Sequence, residues 1–565
     1  MEFSLRELPF STFGSYMAVA YFERYDSHRK GLYLKTVGGG TQGQDFCNIA
    51  PVFNGEVLSF KEEASPTSVT LTTENGSIEM CFPSADELRI RGKGVDFALF
   101  LEKPGGYSFA AKADKKTVII NFNVSKKIAV KVLQGAFDII SPWDESGYGC
   151  SEVKVTALCD PETGMFEIAV TDFYNSYKPL DCSLSFEQCL LESEKKYNSW
   201  MAKTPAVPLQ YAAAAEIAMY LIWSSSVSPR GLFKRNVVLM SKNYMNSLWS
   251  WDHCFNAMAL AFIDFDLSWN QFMVPFDFQD IEGNLQDAMT DRSYVANFVK
   301  PPVHGWTLRR LMETSDIGDE KLKEIYEPLC RWTDWWFAYM DFDSDGIPQY
   351  MHGNDSGWDN STAFRFGTPV ESPDLAAFLI YQMDVLSDIA EHLDKKSESD
   401  LWREKADKTL QLFIDKQSDG KIFYAVKNGE EEWIQTDSLI NCLPVLLGKR
   451  LPEGIRRGLV EKIKLFITDY GLATEKPDSV HYTSDGYWRG PIWAPPTLIV
   501  VDGLIAMGEN DLAKEIAVKF CDMCARSGMA ENFNALTGEG LRDLSYTWTA
   551  SVFLILAGYL ENGVL

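Results

Sequence analysis

Nine consecutive residues, Gly353-Asn354-Asp355-Ser356-Gly357-Trp358-Asp359-Asn360-Ser361, hold two carboxylates, an indole and a run of small turn formers. Together they suit the cleavage of a sugar bond. A glycosidic oxygen leaves poorly unless it receives a proton. A carboxylic acid beside the ring can give one, and an indole face can hold the ring. Alone, the stretch also reads as a polar turn, because Gly, Asn, Asp and Ser favour turns. Five further clusters shift that balance: Trp249-Ser250-Trp251-Asp252-His253, Lys300-Pro301-Pro302-Val303-His304-Gly305-Trp306, Gly486-Tyr487-Trp488-Arg489-Gly490-Pro491-Ile492-Trp493, Glu531-Asn532-Phe533-Asn534 with Thr537-Gly538-Glu539-Gly540, and Ser545-Tyr546-Thr547-Trp548. Loops that carry such residues on a rigid scaffold commonly build a site.

The elements that must position these loops are helical. After Pro208, apolar residues recur at helical spacing. The pattern predicts helices near 209–226, 252–265, 267–279, 304–315, 319–340, 373–394, 398–416, 436–447, 453–468, 491–508, 511–526 and 545–560. The clearest follows Ser372-Pro373-Asp374, a cap, a first-turn proline and an acid at the dipole's positive end. A dozen helices with long loops on alternate connections point to inner and outer helices closed in a ring. The first two hundred residues instead alternate in short β-prone runs. Asn75-Gly76 marks a hairpin, and 87–91 and 95–102 flank Gly92-Lys93-Gly94 in the same manner. The expected organisation is an antiparallel β-sandwich over 1–183, a linker helix over 184–205 and a mainly α domain over 206–565.

A formal net charge of −26 repels phosphate backbones and anionic membranes. It leaves a small neutral or polar ligand as the expected partner, and a homo-oligomer is compatible with it. The 11 Cys are odd in number and scattered, which fits reduced thiols and a cytoplasmic location. Cys521 and Cys524, a lone CxxC inside an apparent helix, read as two buried thiols. The six His show no zinc spacing, so no metal is expected. Met1 to Phe10 lacks a signal-peptide pattern, and no long uncharged apolar run reads as a membrane span. Asp341-Phe342-Asp343-Ser344-Asp345-Gly346 opens like a calcium loop, but position twelve is His352 rather than Glu. A helix-ending acidic turn is the default there.

DSGWDNS at 355–361, WDHCF at 251–255, KPPVHGW at 300–306, GYWRGPIW at 486–493 and ENFNALTGEG at 531–540 resemble glycoside hydrolase family 63, and more distantly trehalases of family 37. The resemblance covers about 206–565. It implies an (α/α)6 toroid and cofactor-free inversion of an α-glycosidic bond. The leading expectation is an exo-acting α-glucosidase on a small oligosaccharide or glucoside. Alternatives are a mannosylglycerate or glucosylglycerate hydrolase or another α-mannosidase and, from a different class, a non-catalytic carbohydrate-binding protein.

Position by position, the resemblance implies Asp359 as general acid, protonated through burial and neighbouring acids, with Asp355 as its rival. It implies Glu531 as the ionised general base, with a water between carboxyls roughly 6.5–9.5 Å apart. Asp252 would accept bonds from sugar hydroxyls, and Trp251, Trp358, Trp488, Trp493 and Trp548 would offer walls. Arg489, Asn360 and His304 would contact substrate. Lys300 stands where relatives often carry Gln, and is expected to read a substrate anion or to face solvent.

Overall fold

The computed structural model describes residues 1–145, 147–427 and 432–565. They divide into two compact units. The first holds Met1–Lys203, Met219–Ser247 and Thr290–Arg292; the second holds Thr204–Ala218, Leu248–Met289 and Ser293–Leu565.

The first unit is built on two antiparallel sheets. One runs in the order Met17–Tyr21, Leu32–Thr36, Asp45–Phe53, Asp96–Phe100, Lys154–Leu158, Ala136–Ile140, with Glu56–Val57 paired beside Asp45–Phe53. The other runs Phe109–Lys112, Thr117–Phe122, Lys126–Gln134, Met165–Phe173, Glu87–Lys93, Ser77–Ser84, Val69–Thr72, Lys61–Ala64. Alternate residues point inward: Val69 and Leu71, Ile78 and Met80, Leu88 and Ile90, Ile128 and Val130, Phe166, Ile168 and Val170 meet Val19, Leu34, Ile49, Phe97, Leu99 and Val155 in one core. That period of two makes this a sandwich. Each fully buried side chain of this kind stabilises it by about 1.5–3 kcal/mol.

The hairpin at Asn75-Gly76 forms as expected, pairing Val69–Thr72 with Ser77–Ser84. The stretch Gly92-Lys93-Gly94 does not make one. Glu87–Lys93 and Asp96–Phe100 lie in different sheets, so the chain crosses the sandwich there, with Gly94 at φ +76°. Glycine adopts that left-handed backbone without a Cβ penalty.

Helix α1 (Phe186–Met201), expected as a linker, belongs to the first unit. Ser185 and Gln188 form a capping box at its start. The helix packs on Ser77–Ser84, and Ser193 Oγ donates to Phe82 O at 2.9 Å. Residues 219–247 also join this unit, although the sequence placed them in the second. The reason is pairing with the remote N-terminus: Tyr220 Oη donates to Pro9 O at 2.8 Å, and buried Lys242 Nζ donates to Ser11 Oγ at 3.1 Å.

Helix α2 (Ala212–Ser225) is divided between the units. The second unit then alternates inner and outer helices. The inner ones are α3 (Asp252–Leu260), α5 (His304–Thr314), α7 (Pro373–His392), the 3₁₀ segment Leu439–Arg450, α10 (Ala494–Met507) and α12 (Thr547–Glu561). Each packs on the next, and α12 packs back on α3, which closes the ring. The outer ones are α4 (Phe265–Met273), α6 (Asp319–Tyr339), α8 (Lys396–Gln417), α9 (Glu453–Lys464) and α11 (Asn510–Ser527). Burial separates the layers. All nine residues of α3 are buried, whereas α8 buries five of 22. A helix apolar on every side needs neighbours all round; an amphipathic one closes the outside. Every predicted helical range overlaps a helix. The exception in type is 436–447, where Pro444 and Gly448, the latter at φ +53°, leave a kinked 3₁₀ segment.

Candidate active site

The chemical clusters lie just ahead of, or at, the first turns of inner helices. Trp251 and Asp252 start α3, His304 starts α5, and Trp493 precedes α10. The 353–361 loop precedes α7, and Glu531 to Tyr546 precede α12.

In the 353–361 loop the two aspartates have separate tasks. Asp355 is buried and accepts hydrogen bonds from the amides of Met351 and His352, both at 3.0 Å, and of Val299 at 3.3 Å. The rival acid is therefore the peg that shapes the loop. Ser356 Oγ donates to Gly353 O at 2.7 Å and accepts from Trp358 N at 3.1 Å. Gly357 sits at φ +71°, where an added Cβ would lie 2.5 Å from the Trp251 ring. This local knot turns Asp359 out of the loop, and Asp359 keeps partial exposure. Burial raises its carboxyl above the ordinary range, Lys300 opposes that rise and Asp287 adds to it.

Glu531 is about 5% exposed. Its amide donates to Asp543 O at 2.7 Å, and its carbonyl accepts from Trp548 Nε1 at 3.2 Å. Burial, then repulsion from Asp543, pushes its carboxyl up to about 8 against the pull of Arg542. The expected ionised base thus sits in surroundings that favour its protonated form. Asp252, on α3, is buried, is raised to about 7 and accepts a hydrogen bond from Tyr546 Oη at 3.4 Å.

Tyr487 ties these acids together. Its hydroxyl is held protonated by burial and by repulsion from Glu531, Asp359 and Asp252 at once. Residues 172 positions apart, Asp359 and Glu531, therefore act on one phenol. Neither Tyr487 nor Arg542, whose guanidinium lies 5.6 Å from the Tyr487 ring centroid, was singled out from sequence. Both are non-glycine residues at positive φ, +63° and +62°. Such backbone costs about 1–3 kcal/mol and clusters at working sites. No sequence signal marks it, since these are not residue types that favour that region.

The remaining expected contacts divide. Lys300 is buried, salt-bridged to Asp287 at 2.9 Å, and donates to Asn354 O at 2.6 Å and Oδ1 at 2.9 Å. It neither faces solvent nor stands free for a substrate anion, because Asp287, which sequence did not single out, neutralises it. Asn360 spends both ends of its amide on the neighbouring loop, donating to Gly486 O and accepting from Trp488 N, both at 3.0 Å. Trp251, Trp358, Trp488, Trp493 and Trp548 are all buried against one another. Trp488 and Trp493 stack at 3.9 Å, and Trp493 and Trp548 meet edge-on at 5.4 Å. They form a packed backing rather than open sugar-facing walls, because each ring's partner is another ring. His304 is fully buried with its ring 5.2 Å from His253, so it contacts the helical core and not a ligand at the surface. Arg489 is partly exposed, and its buried Nε has no hydrogen-bond partner among the described residues. Trp488 Nε1 and both polar atoms of the Asn532 amide are likewise buried and unsatisfied. Buried polar atoms in this state call for water or ligand.

The acidic turn 341–346 closes on itself. Asp341 accepts from the amides of Asp345 and Gly346, Asp343 accepts from Gln349 Nε2, and Lys416 pairs with Asp345. One ligand atom from each of Asp341, Asp343 and Asp345 lies within 4.8 Å of the other two.

A domain described as the mannosylglycerate hydrolase MGH1-like glycoside hydrolase domain matches residues 244–549, more than half of the chain. The chain belongs to that family, a branch of glycoside hydrolase family 63. Mannosylglycerate hydrolase MGH1 of Selaginella moellendorffii is 22% identical over 393 residues, covering 54% of this chain and 79% of that protein. Glucosylglycerate hydrolase of Mycolicibacterium hassiacum is 21% identical over 408 residues, covering 54% and 91%. Among solved structures, the family 63 mannosylglycerate hydrolase of Thermus thermophilus with Tris and D-glycerate superposes with a TM-score of 0.53, over 60% of this chain and 98% of its own. A bacterial glucoamylase complexed with acarbose gives 0.60 at 11% identity, over 99% and 95%. This family member therefore has the β-sandwich and (α/α)6 architecture expected of it. The family model begins at 244, so every strand of the sandwich lies outside its span. Among the described residues no helix is long and apolar enough to cross a membrane.

Proposed function

We propose that this family 63 hydrolase cleaves an α-linked hexosyl glycerate, of the mannosylglycerate or glucosylglycerate kind, with inversion. The reading is carried by the shared influence of Asp359, Glu531 and Asp252, which all act on the Tyr487 hydroxyl. The relatives' names favour the glycerate conjugate over the neutral α-glucoside expected first. Asp359 gives its proton to the glycosidic oxygen as the bond to the anomeric carbon breaks. Glu531 takes a proton from the water that attacks the opposite face. Glycerate leaves as an alcohol, and the hexose leaves with β configuration. Asp252, steadied by Tyr546, accepts from sugar hydroxyls. Arg542 acts on Glu531 and Tyr487 and is salt-bridged at 2.7 Å to Asp485 on the surface, so it would take the glycerate carboxylate by exchanging that partner. A base must first lose its proton, so kcat/KM rises with pH through about 8, where Glu531 titrates.

One observation favours the reverse assignment, with Glu531 as proton donor: its carboxyl is held to about 8. On that assignment kcat/KM falls through the same range. The full chain is to be given mannosylglycerate, glucosylglycerate and aryl α-glycosides, alongside Asp359→Asn and Glu531→Gln. The expected result is turnover of a glycerate conjugate, lost by about 10²–10⁴-fold in either variant. Cleavage confined to neutral glycosides rejects the substrate. Full activity in a folded variant rejects that residue.

A further inference from the structure

Beneath Asp252 the next two residues of α3 meet the first residue of α5. His253, Cys254 and His304 are all fully buried, and one ligand atom from each lies within 4.8 Å of the other two. The sequence offered no metal spacing here, because 50 residues separate Cys254 from His304 and only the ring closure joins them.

Two observations besides this geometry point to a cation. First, both ring nitrogens of His304 are buried without a hydrogen-bond partner. A neutral imidazole has one donor and one acceptor, and leaving either unmet in the core is costly. Phe272, Phe276 and Trp332 ring it at centroid distances of 6.5, 5.5 and 6.2 Å. Second, His253 Nδ1 lies 3.2 Å from Trp249 O, and its Nε2 lies 3.5 Å from Cys254 Sγ. A histidine that gives one N–H to a backbone carbonyl presents the other nitrogen as a ligand, the arrangement common around bound metals.

We infer that His253, Cys254 and His304 bind one soft or borderline d¹⁰ cation, Zn(II) or Cu(I), which pins the start of α3 to the start of α5. Two imidazoles and a thiolate are the ligand set such cations select. The set completes a trigonal Cu(I) site, or leaves the fourth zinc position to a water. Binding releases the Cys254 proton, and burial means that loading accompanies folding. The site does not depend on which sugar the enzyme cleaves.

The test uses untagged full-length protein expressed separately in zinc-, copper- and cobalt-supplemented medium, with metal content and absorption as readouts. The expected result is about one cation per chain in the zinc or copper arm, and a thiolate-to-cobalt charge-transfer band in the cobalt arm. Cys254→Ser and His304→Gln are expected to lose both signals, while His392→Gln, on an exposed residue paired with Asp319, keeps them. Wild-type protein with neither stoichiometric cation nor thiolate band overturns the inference, and needs no variant to fold. Metal retained in folded Cys254→Ser overturns it as well.

Discussion

Asp359 and Glu531 occupy loops of opposite construction. The 353–361 loop is rich in internal hydrogen bonds, with Asp355, Ser356 and Asn360 all spent on backbone, and a buried cation, Lys300, acts on its exposed-facing acid. The loop around Glu531 buries its carboxyl beside a second acid, Asp543, and leaves the next side chain, Asn532, unsatisfied. Burial raises both carboxyls, but the Lys300 ammonium opposes that rise at Asp359, while like charge from Asp543 adds to it at Glu531. Substrate entry must rebalance this pair before chemistry starts.

The sharpest way to break the contrast is Lys300→Met. It leaves Asp287 buried without its partner, and breaking such a pair costs about 3–5 kcal/mol of stability by denaturant titration. In the folded fraction Asp359 loses the cation that opposes its rise, so the pH at which it gives up its proton moves upward in a kcat profile.

Glu531→Gln tests the other side through stability. The native carboxyl titrates at about 8 and its ordinary value is 4.5, so the native state keeps a proton that the unfolded state loses. The wild type therefore loses stability as pH rises from 4.5 to about 8 and levels off above that. One pKa unit corresponds to about 1.4 kcal/mol, so the loss amounts to a few kcal/mol at most. Melting curves across this range are expected to show a flatter pH dependence in the variant.

Asn360→Ala removes two hydrogen bonds between the 353–361 and 486–488 loops, for about 1–3 kcal/mol in total. It is expected to lower kcat through Asp359 placement while substrate binding changes less. The smallest effect belongs to the acidic turn. Asp343→Asn, or added calcium, is expected to shift stability by no more than about 0.5 kcal/mol, because Gln349 and Lys416 already satisfy that turn.

Much of the scaffold was legible because helical periodicity survives in single sequences. The Ser372-Pro373-Asp374 start of α7 is a local feature, and the structure places that helix at Pro373–His392. What escaped was settled by distant partners. Lys300 looks free until Asp287 is folded against it, and five tryptophans look like open walls until they pack on one another. The crossing at Gly94 resembles a hairpin because both flanking runs are β-prone, and only pairing with Met165–Phe173 puts Glu87–Lys93 in the other sheet. Tyr487 and Arg542 matter through backbone conformation and position, which composition does not encode.

Inversion requires a water to attack the face of the sugar opposite the proton donor. Proton NMR during the first minutes of hydrolysis of the preferred hexosyl glycerate reads this directly. The expected first product is the β-hexose, with the α anomer growing in only through mutarotation. An α-hexose at the earliest time points contradicts the assignment of Asp359 and Glu531 as an inverting pair.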